Sequence, residues 1–90
     1  MSGNETYKRQ ENMVGAQIDD SYVILDVATA KYYAFNQSAK DIWDLLAEPV
    51  SAGKIAGELS ARYDVSPDDC YVSVVGVIQD LRAKGLVSTA

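Results

Sequence analysis

Cys70 is the one thiol in a 90-residue chain that has no histidine. A cysteine nucleophile needs a neighbour that holds it as thiolate, and imidazole is the usual supplier. Without one, Cys70 reads as a structural or incidental thiol. Asp68 and Asp69 are the most prominent paired carboxylates, yet a hard cation wants several converging oxygens. Following Ser66-Pro67, these two suit the positive first turn of a helix instead. The sequence has no phosphate-binding glycine loop and no metal-ligand spacing, so a catalytic site would have to be built from unmarked residues. The reading is a protein that is not an enzyme and takes no cofactor and no metal.

The residue types that remain are those of recognition. Lys31-Tyr32-Tyr33-Ala34-Phe35-Asn36 is aromatic, strand-forming and runs straight into a helix start. Such a strand at a sheet edge offers unpaired amides to an incoming chain. Thirteen acidic residues against eight basic ones give a net charge of −5, which repels a phosphate backbone at long range. The basic residues are scattered, and Arg82 and Lys84 fit a helix C-terminus, where cations complement the macrodipole. Nucleic acid is therefore not the expected partner. No apolar run approaches the roughly 20 residues of a membrane span, so the membrane is not expected either.

Ninety residues with 48% hydrophobic and 23% charged content fit one small globular domain. Residues 1–12 are polar and lack the apolar stretch of a secretory signal; they are expected to form a flexible arm ahead of a domain over 13–90. A single cysteine suits a reducing compartment, and cytoplasmic is the default.

Met13 to Ile18 alternates, with Val14, Ala16 and Ile18 on one face, and Asp19-Asp20-Ser21 supplies a turn. Tyr22 to Val27 is rich in β-branched and aromatic residues, and Ala28-Thr29-Ala30 separates it from the Lys31 strand. If Val27 pairs with Lys31, Leu25 faces Tyr33 and Val23 faces Phe35, and these four point to the core. Ile24, Tyr32 and Ala34 then occupy the other face and need a covering element or a ligand. A slip of one residue would exchange the faces.

Three helices follow. Ser38 is the expected N-cap of the first, which carries Ala39, Ile42, Trp43 and Leu46 at helical spacing and ends before Pro49. The second opens at Ser51 and places Ala52, Ile55, Ala56, Leu59 and Tyr63 on one side. The third starts at Ser66-Pro67, buries a stripe of Tyr71, Val74, Val75, Ile78 and Leu81, and stops at Gly85. Leu86-Val87 can fold back onto the core. The order predicts an α+β fold, a three-stranded antiparallel sheet followed by three helices in a winged-helix-like arrangement.

The succession Val23-Ile24-Leu25-Asp26, Lys31 to Asn36, Ser38-Ala39, Ile42-Trp43 and Leu45-Leu46 resembles the PqqD-like proteins. So do Ile55-Ala56, Leu59, Arg62-Tyr63-Asp64-Val65, Val74, Ile78, Leu81 and Gly85-Leu86-Val87. The resemblance spans about Val14 to Val87. It implies a stand-alone recognition element for ribosomally made, later modified (RiPP) peptides, most like those of lasso-peptide pathways. The implied partners are the leader of a precursor peptide, a separate cysteine-type leader peptidase and a downstream macrocyclase. An alternative is the original PqqD role, a peptide chaperone presenting a quinone-cofactor precursor to a radical enzyme. A winged-helix DNA-binding protein is a more distant alternative, since the third helix offers little beyond Gln79 and Arg82 to read bases. Ala30 departs from relatives that have glycine in the turn.

In such proteins the leader adds as an antiparallel strand to the third strand of the sheet and enters a groove beside the third helix. Carried over by position, the edge is Lys31, Tyr32, Tyr33, Ala34 and Phe35, and the helix wall is Tyr71, Val75, Ile78, Gln79 and Arg82. Tyr33 and Phe35 compete with a core role, and Tyr32 and Ala34 are the better contact candidates. Val75 and Ile78 serve packing or groove, Trp43 belongs to the core, and Arg82 also fits a solvated helix-end cation. The expected state is a monomer or weak homodimer, because an exposed edge can pair with its own copy.

Overall fold

A computed structural model describes residues 5–90. Alternating residues place β2 (Met13–Ile18), β3 (Ser21–Asp26) and β4 (Lys31–Phe35) in one antiparallel sheet of order β2-β3-β4. The expected hairpin forms with a register one residue away from the expectation: Asp26 pairs with Lys31, Leu25 with Tyr32, Ile24 with Tyr33, Val23 with Ala34 and Tyr22 with Phe35. The Asp26 side chain is the reason. Its Oδ1 accepts from the backbone N–H groups of Ala28 (3.0 Å) and Thr29 (3.4 Å), and its carbonyl accepts from Ala30 N–H at 2.7 Å. Asp26 thereby ends the strand, and Val27 joins the loop. Ala30 takes the left-handed conformation there, with φ 60°.

The slip exchanges the faces of β3 alone: Ile24, expected outside, is fully buried, while Val23 and Leu25 turn outward, and on β4 Phe35 is buried and Tyr32 and Ala34 are exposed, as expected. Opposite residues share a face, so the outer surface carries the rows Val14–Leu25–Tyr32 and Ala16–Val23–Ala34, with Ile18 beside Ser21.

Three helices follow on the inner side: α1 (Gln37–Leu45) packs on β3 and β4, and α2 (Ala52–Tyr63) and α3 (Pro67–Ala83) pack on each other and on α1. The cap of α1 is Asn36 rather than Ser38: its side chain accepts from Ala39 N–H at 2.9 Å. Ser51 caps α2 through Lys54 N–H, as expected. Ser66 stands before Pro67 but makes no side-chain cap bond, so proline and the acidic first turn mark this helix start. Gly85, φ 77°, ends α3, and Leu86 and Val87 fold back into the core. Trp43 lies in that core, edge-on to Phe35 with ring centroids 5.6 Å apart.

A second sheet, of order β5-β1-β6, was not anticipated: β1 (Thr6–Arg9) lies between β5 (Val50–Ser51) and β6 (Val87–Thr89). The expected flexible arm is therefore corrected over these residues; residues 1–4 lie outside the described residues. Tyr7 is buried. Arg9 N–H donates to the Leu46 carbonyl (2.9 Å), which the end of α1 leaves free, and its Nη1 donates to the Trp43 carbonyl (3.3 Å), which also accepts from Leu46 N–H. Its guanidinium also stacks over Trp43 at 5.3 Å. A polar segment serves as structure because its backbone closes two sheet edges and its cation closes a helix end.

Candidate functional site

The ladder decides which amides are free. Val27 N–H donates to the Asn12 carbonyl at 3.1 Å, and hydrogen-bonded pairs alternate along antiparallel strands. Val14–Leu25, Ala16–Val23 and Ile18–Ser21 are then the bonded pairs of β2 and β3. Tyr22, Ile24 and Asp26 turn their main-chain groups to β4, where they meet Phe35, Tyr33 and Lys31. Tyr32 and Ala34 accordingly direct N–H and C=O to the free side of β4. No strand among the described residues pairs there.

The C-terminal end of α3 reaches this strand. Lys84 Nζ lies 6.0 Å from the centre of the Tyr33 ring and is held by Asp80 at 2.9 Å. At 100° per residue, Val77 and Lys84 share this flank, next to the buried stripe of Val74, Ile78 and Leu81. Tyr71, Val75 and Arg82 lie on the opposite flank: the Arg82 guanidinium is 5.7 Å from the Tyr7 ring on β1. Tyr7 also donates its O–H to Glu5 at 2.7 Å, and that carboxylate raises the phenol above its ordinary pKa.

Of the residues singled out in the sequence, Lys31, Tyr32, Tyr33, Ala34 and Phe35 thus form one strand. Tyr32 is 71% exposed and Phe35 is core. From the helix, Ile78 is buried, Gln79 is exposed, and Tyr71, Val75 and Arg82 sit toward β1 rather than β4. Lys84, which reaches the Tyr33 ring on β4, and Val77 on the same flank of α3 were not singled out. Helical periodicity finds a stripe and its two flanks but does not say which neighbour each flank meets, and the unseen strand β1 occupies one of them.

Just past the Phe35 end of β4, where α1, the end of α2 and the start of α3 converge, an apolar cavity of about 270 Å³ is lined by Ile42, Leu59, Tyr63, Val65, Cys70 and Val74, with Ser38 and Ser73 at its wall. Asp41 braces this corner. It is buried, accepts from Gln37 Nε2 at 3.0 Å and from the Tyr63 hydroxyl, and has Arg62 at 3.8 Å. The bond to Asp41 raises the Tyr63 phenol above its ordinary pKa. A second cavity of about 350 Å³ lies by the β1–β2 connection, with Lys8, Arg9, Glu11 and Asn12 among its lining residues. Among the described residues no cluster of three or more His, Cys, Asp or Glu could hold a metal ion, and no helix is long and apolar enough to cross a membrane.

A three-stranded antiparallel sheet with a free edge, backed by three helices and flanked by an apolar cavity, defines a small winged-helix-like α+β module. The chain belongs to the PqqD family: the model of coenzyme PQQ synthesis protein D (PqqD) matches residues 21–87. Three solved structures share the fold. TbiB1 in complex with the TbiA(beta) leader peptide is 27% identical, with a TM-score of 0.78, over 90% of this chain and 94% of that one. Lasso peptide synthetase B1 complexed with the leader peptide is 23% identical, with a TM-score of 0.78, over 91% and 96%. The PqqD truncation of Methylobacterium extorquens PqqCD, described as a stand-alone RiPP recognition element, is 17% identical, with a TM-score of 0.81, over 98% and 94%. No curated protein sequence matches the chain.

Proposed function

We propose that this protein is a non-catalytic recognition element that binds the leader of a ribosomal precursor peptide and delivers it to a leader peptidase and a macrocyclase of a lasso-peptide pathway. The observation that carries the reading is the free edge of β4 beside α3. Support comes from the likeness, at 27% identity, to TbiB1, whose structure contains a leader peptide.

The leader adds as an antiparallel strand to β4, taking its register from the N–H and C=O groups of Tyr32 and Ala34. Those four main-chain groups contribute roughly 0.5–1.5 kcal/mol per bond, about 2–6 kcal/mol together, against about 8 kcal/mol for micromolar affinity. Backbone pairing therefore gives register, and side chains must give most of the selectivity. Each apolar side chain buried by the leader adds roughly 1.5–3 kcal/mol, so two bring about 3–6 kcal/mol, of the order of the gap. The groove between β4 and the Val77–Lys84 flank takes one. The cavity at Ile42, Leu59 and Val74 takes another, and its size suits a tyrosine ring or a proline, which lasso leaders are expected to carry a few residues apart.

The family model favours a second reading, presentation of a quinone-cofactor precursor to a radical enzyme by the same edge. Fluorescence anisotropy separates the two. Labelled lasso-type leader from the neighbouring precursor gene is titrated at physiological salt beside a scrambled leader and a quinone-cofactor precursor. Micromolar or tighter binding of the first alone is expected. Binding of the quinone precursor alone moves the protein to the second role, and equal binding of true and scrambled leaders removes the recognition reading.

A further inference from the structure

The 350 Å³ cavity by the β1–β2 connection has no part in binding at β4, yet its lining has a definite chemistry. Its deepest residues are the buried Ile24 and Trp43, and it opens over Gly15 of β2, beyond the part of the sheet on which α1 packs. A Cβ at Gly15 would overlap the Tyr22 hydroxyl, so glycine lets that ring lie across the strand and wall the cavity. The half-buried Lys8 and Arg9 complete the lining. Among the described residues Lys40, Arg62 and Lys84 each have a carboxylate partner, whereas Lys8 and Arg9 have none within ion-pair distance. Glu11, exposed at the rim, is the one carboxylate of the lining. Two cations against one anion reverse, at this spot, the sign of a chain of net charge −5.

The geometry selects the ligand. Arg9 is held in place by its stack on Trp43 at 5.3 Å and by the bond from Nη1 to the Trp43 carbonyl. That is its one side-chain hydrogen bond among the described residues, so most of the guanidinium fork is set for a carboxylate beside an apolar floor. The alternation that frees Tyr32 and Ala34 on β4 also turns the main-chain N–H and C=O of Met13 and Gly15 to the free side of β2. No strand among the described residues pairs there, and both residues line the cavity. Free ladder groups beside a pocket suit an extended peptide. Chain direction says which one. A leader antiparallel to β4 runs from the Phe35 end to the Lys31 end, and Lys31, Asp26 and Met13 form one row across the sheet. The precursor therefore leaves β4 at the end of the sheet where the cavity lies. From the added strand to β2 is three strand spacings, roughly 14 Å, which takes about five or more extended residues.

Resting on the leader-binding function proposed above, we infer that this cavity is a second peptide site, which takes an apolar residue and a neighbouring carboxylate from the precursor segment that follows the leader strand. The apolar side chain packs on Ile24 and Trp43, the carboxylate pairs with Arg9 and Lys8, and the main chain runs beside Met13 and Gly15. The carboxylate belongs to an Asp or Glu side chain or to the C-terminus of the precursor. The precursor is then held at both edges of the sheet, with the residues between looped past the β3–β4 turn. Two linked sites raise affinity without changing the contacts of the first.

The test compares, by anisotropy on the full chain at physiological salt, the leader peptide and the whole precursor from the neighbouring gene, both labelled at the N-terminus. Two altered precursors carry Asn and Gln in place of Asp and Glu downstream of the leader, or a C-terminal amide. The parent is expected to bind the precursor roughly tenfold or more tighter than the leader alone, and one altered precursor is expected to lose that gain, which identifies the carboxylate held. Lys8→Glu is expected to abolish the gain while leaving leader affinity within about twofold of the parent, and Lys54→Glu, the same charge change on α2 outside the cavity, to keep it. Lys8→Gln replaces Lys8→Glu if thermal melts show the latter to be unfolded, and is expected to lose most of the gain. Equal binding of leader and precursor, a gain that survives in both altered precursors or in the folded Lys8 variant, or a gain lost equally in Lys54→Glu overturns the inference while leaving leader recognition intact. Dimerisation of the parent in sedimentation, lost in Lys8→Glu, overturns it in favour of an acidic segment of a second copy. Failure of the parent to bind leader at all removes the underlying function instead.

Discussion

Ala30 closes the β3–β4 loop with φ 60°, a conformation that costs a residue with a Cβ about 1–2 kcal/mol. Three neighbouring bonds hold it there, from Ala28 and Thr29 N–H to the Asp26 carboxylate and from Ala30 N–H to its carbonyl. Glycine removes the steric cost but brings more unfolded-chain entropy, which offsets part of the gain. Ala30→Gly is therefore expected to stabilise the protein by about 0.5–1 kcal/mol, read as a higher urea midpoint at unchanged slope. A fall in midpoint would show that the loop is held by something other than these bonds. The same aspartate explains why the register was not legible. Asp26 looks like an ordinary strand terminus in the sequence, and only its two side-chain bonds move the loop boundary from Val27 to Asp26 and exchange the faces of Val23, Ile24 and Leu25.

Among the elements, β4 is the edge proposed to take the leader, and its ladder makes the clearest demand. Ala34 turns its N–H to the free edge whereas Tyr33 turns its own toward β3. Proline is tolerated on edge strands where the missing donor faces solvent and is disruptive where it faces a partner strand. Ala34→Pro is expected to leave the circular dichroism spectrum intact and weaken leader binding about tenfold, the equivalent of about 1.4 kcal/mol for one donor and the clash of the ring. Tyr33→Pro is expected to unfold the sheet. Unchanged affinity in a folded Ala34→Pro variant would place the leader elsewhere. This strand was legible from its aromatic run and from the helix start behind it, as were α2, α3 and the buried stripe of α3. The helix wall was carried over by position from the resemblance, and the neighbour of its Arg82 flank, Tyr7 on β1, could not be read from helical periodicity.

At the scale of the whole molecule, the N-terminal strand ties the helical layer together. Strands of two to four residues give no periodic signal, so β1, β5 and β6 were invisible, and the polar composition of residues 1–12 pointed to an arm. In the structure β1 holds the connection before α2 and the chain after α3 on its two sides, while Arg9 closes the end of α1. Three helices thus depend on four residues. Tyr7 is the one side chain of β1 buried in the core, and truncating a buried aromatic costs about 3–5 kcal/mol. A domain of this size has roughly 5–13 kcal/mol to lose. Tyr7→Ala is accordingly expected to lower stability by about 3 kcal/mol. Trp43 fluorescence and far-ultraviolet dichroism should report one coincident urea transition, because Arg9 couples β1 to Trp43 directly. A dispensable arm predicts no change in midpoint, and a β1 that merely docks on a finished core predicts two separate transitions. One transition at a lower midpoint would mean that the sheet edge proposed for recognition and the strand at the far side of α3 belong to a single cooperative unit.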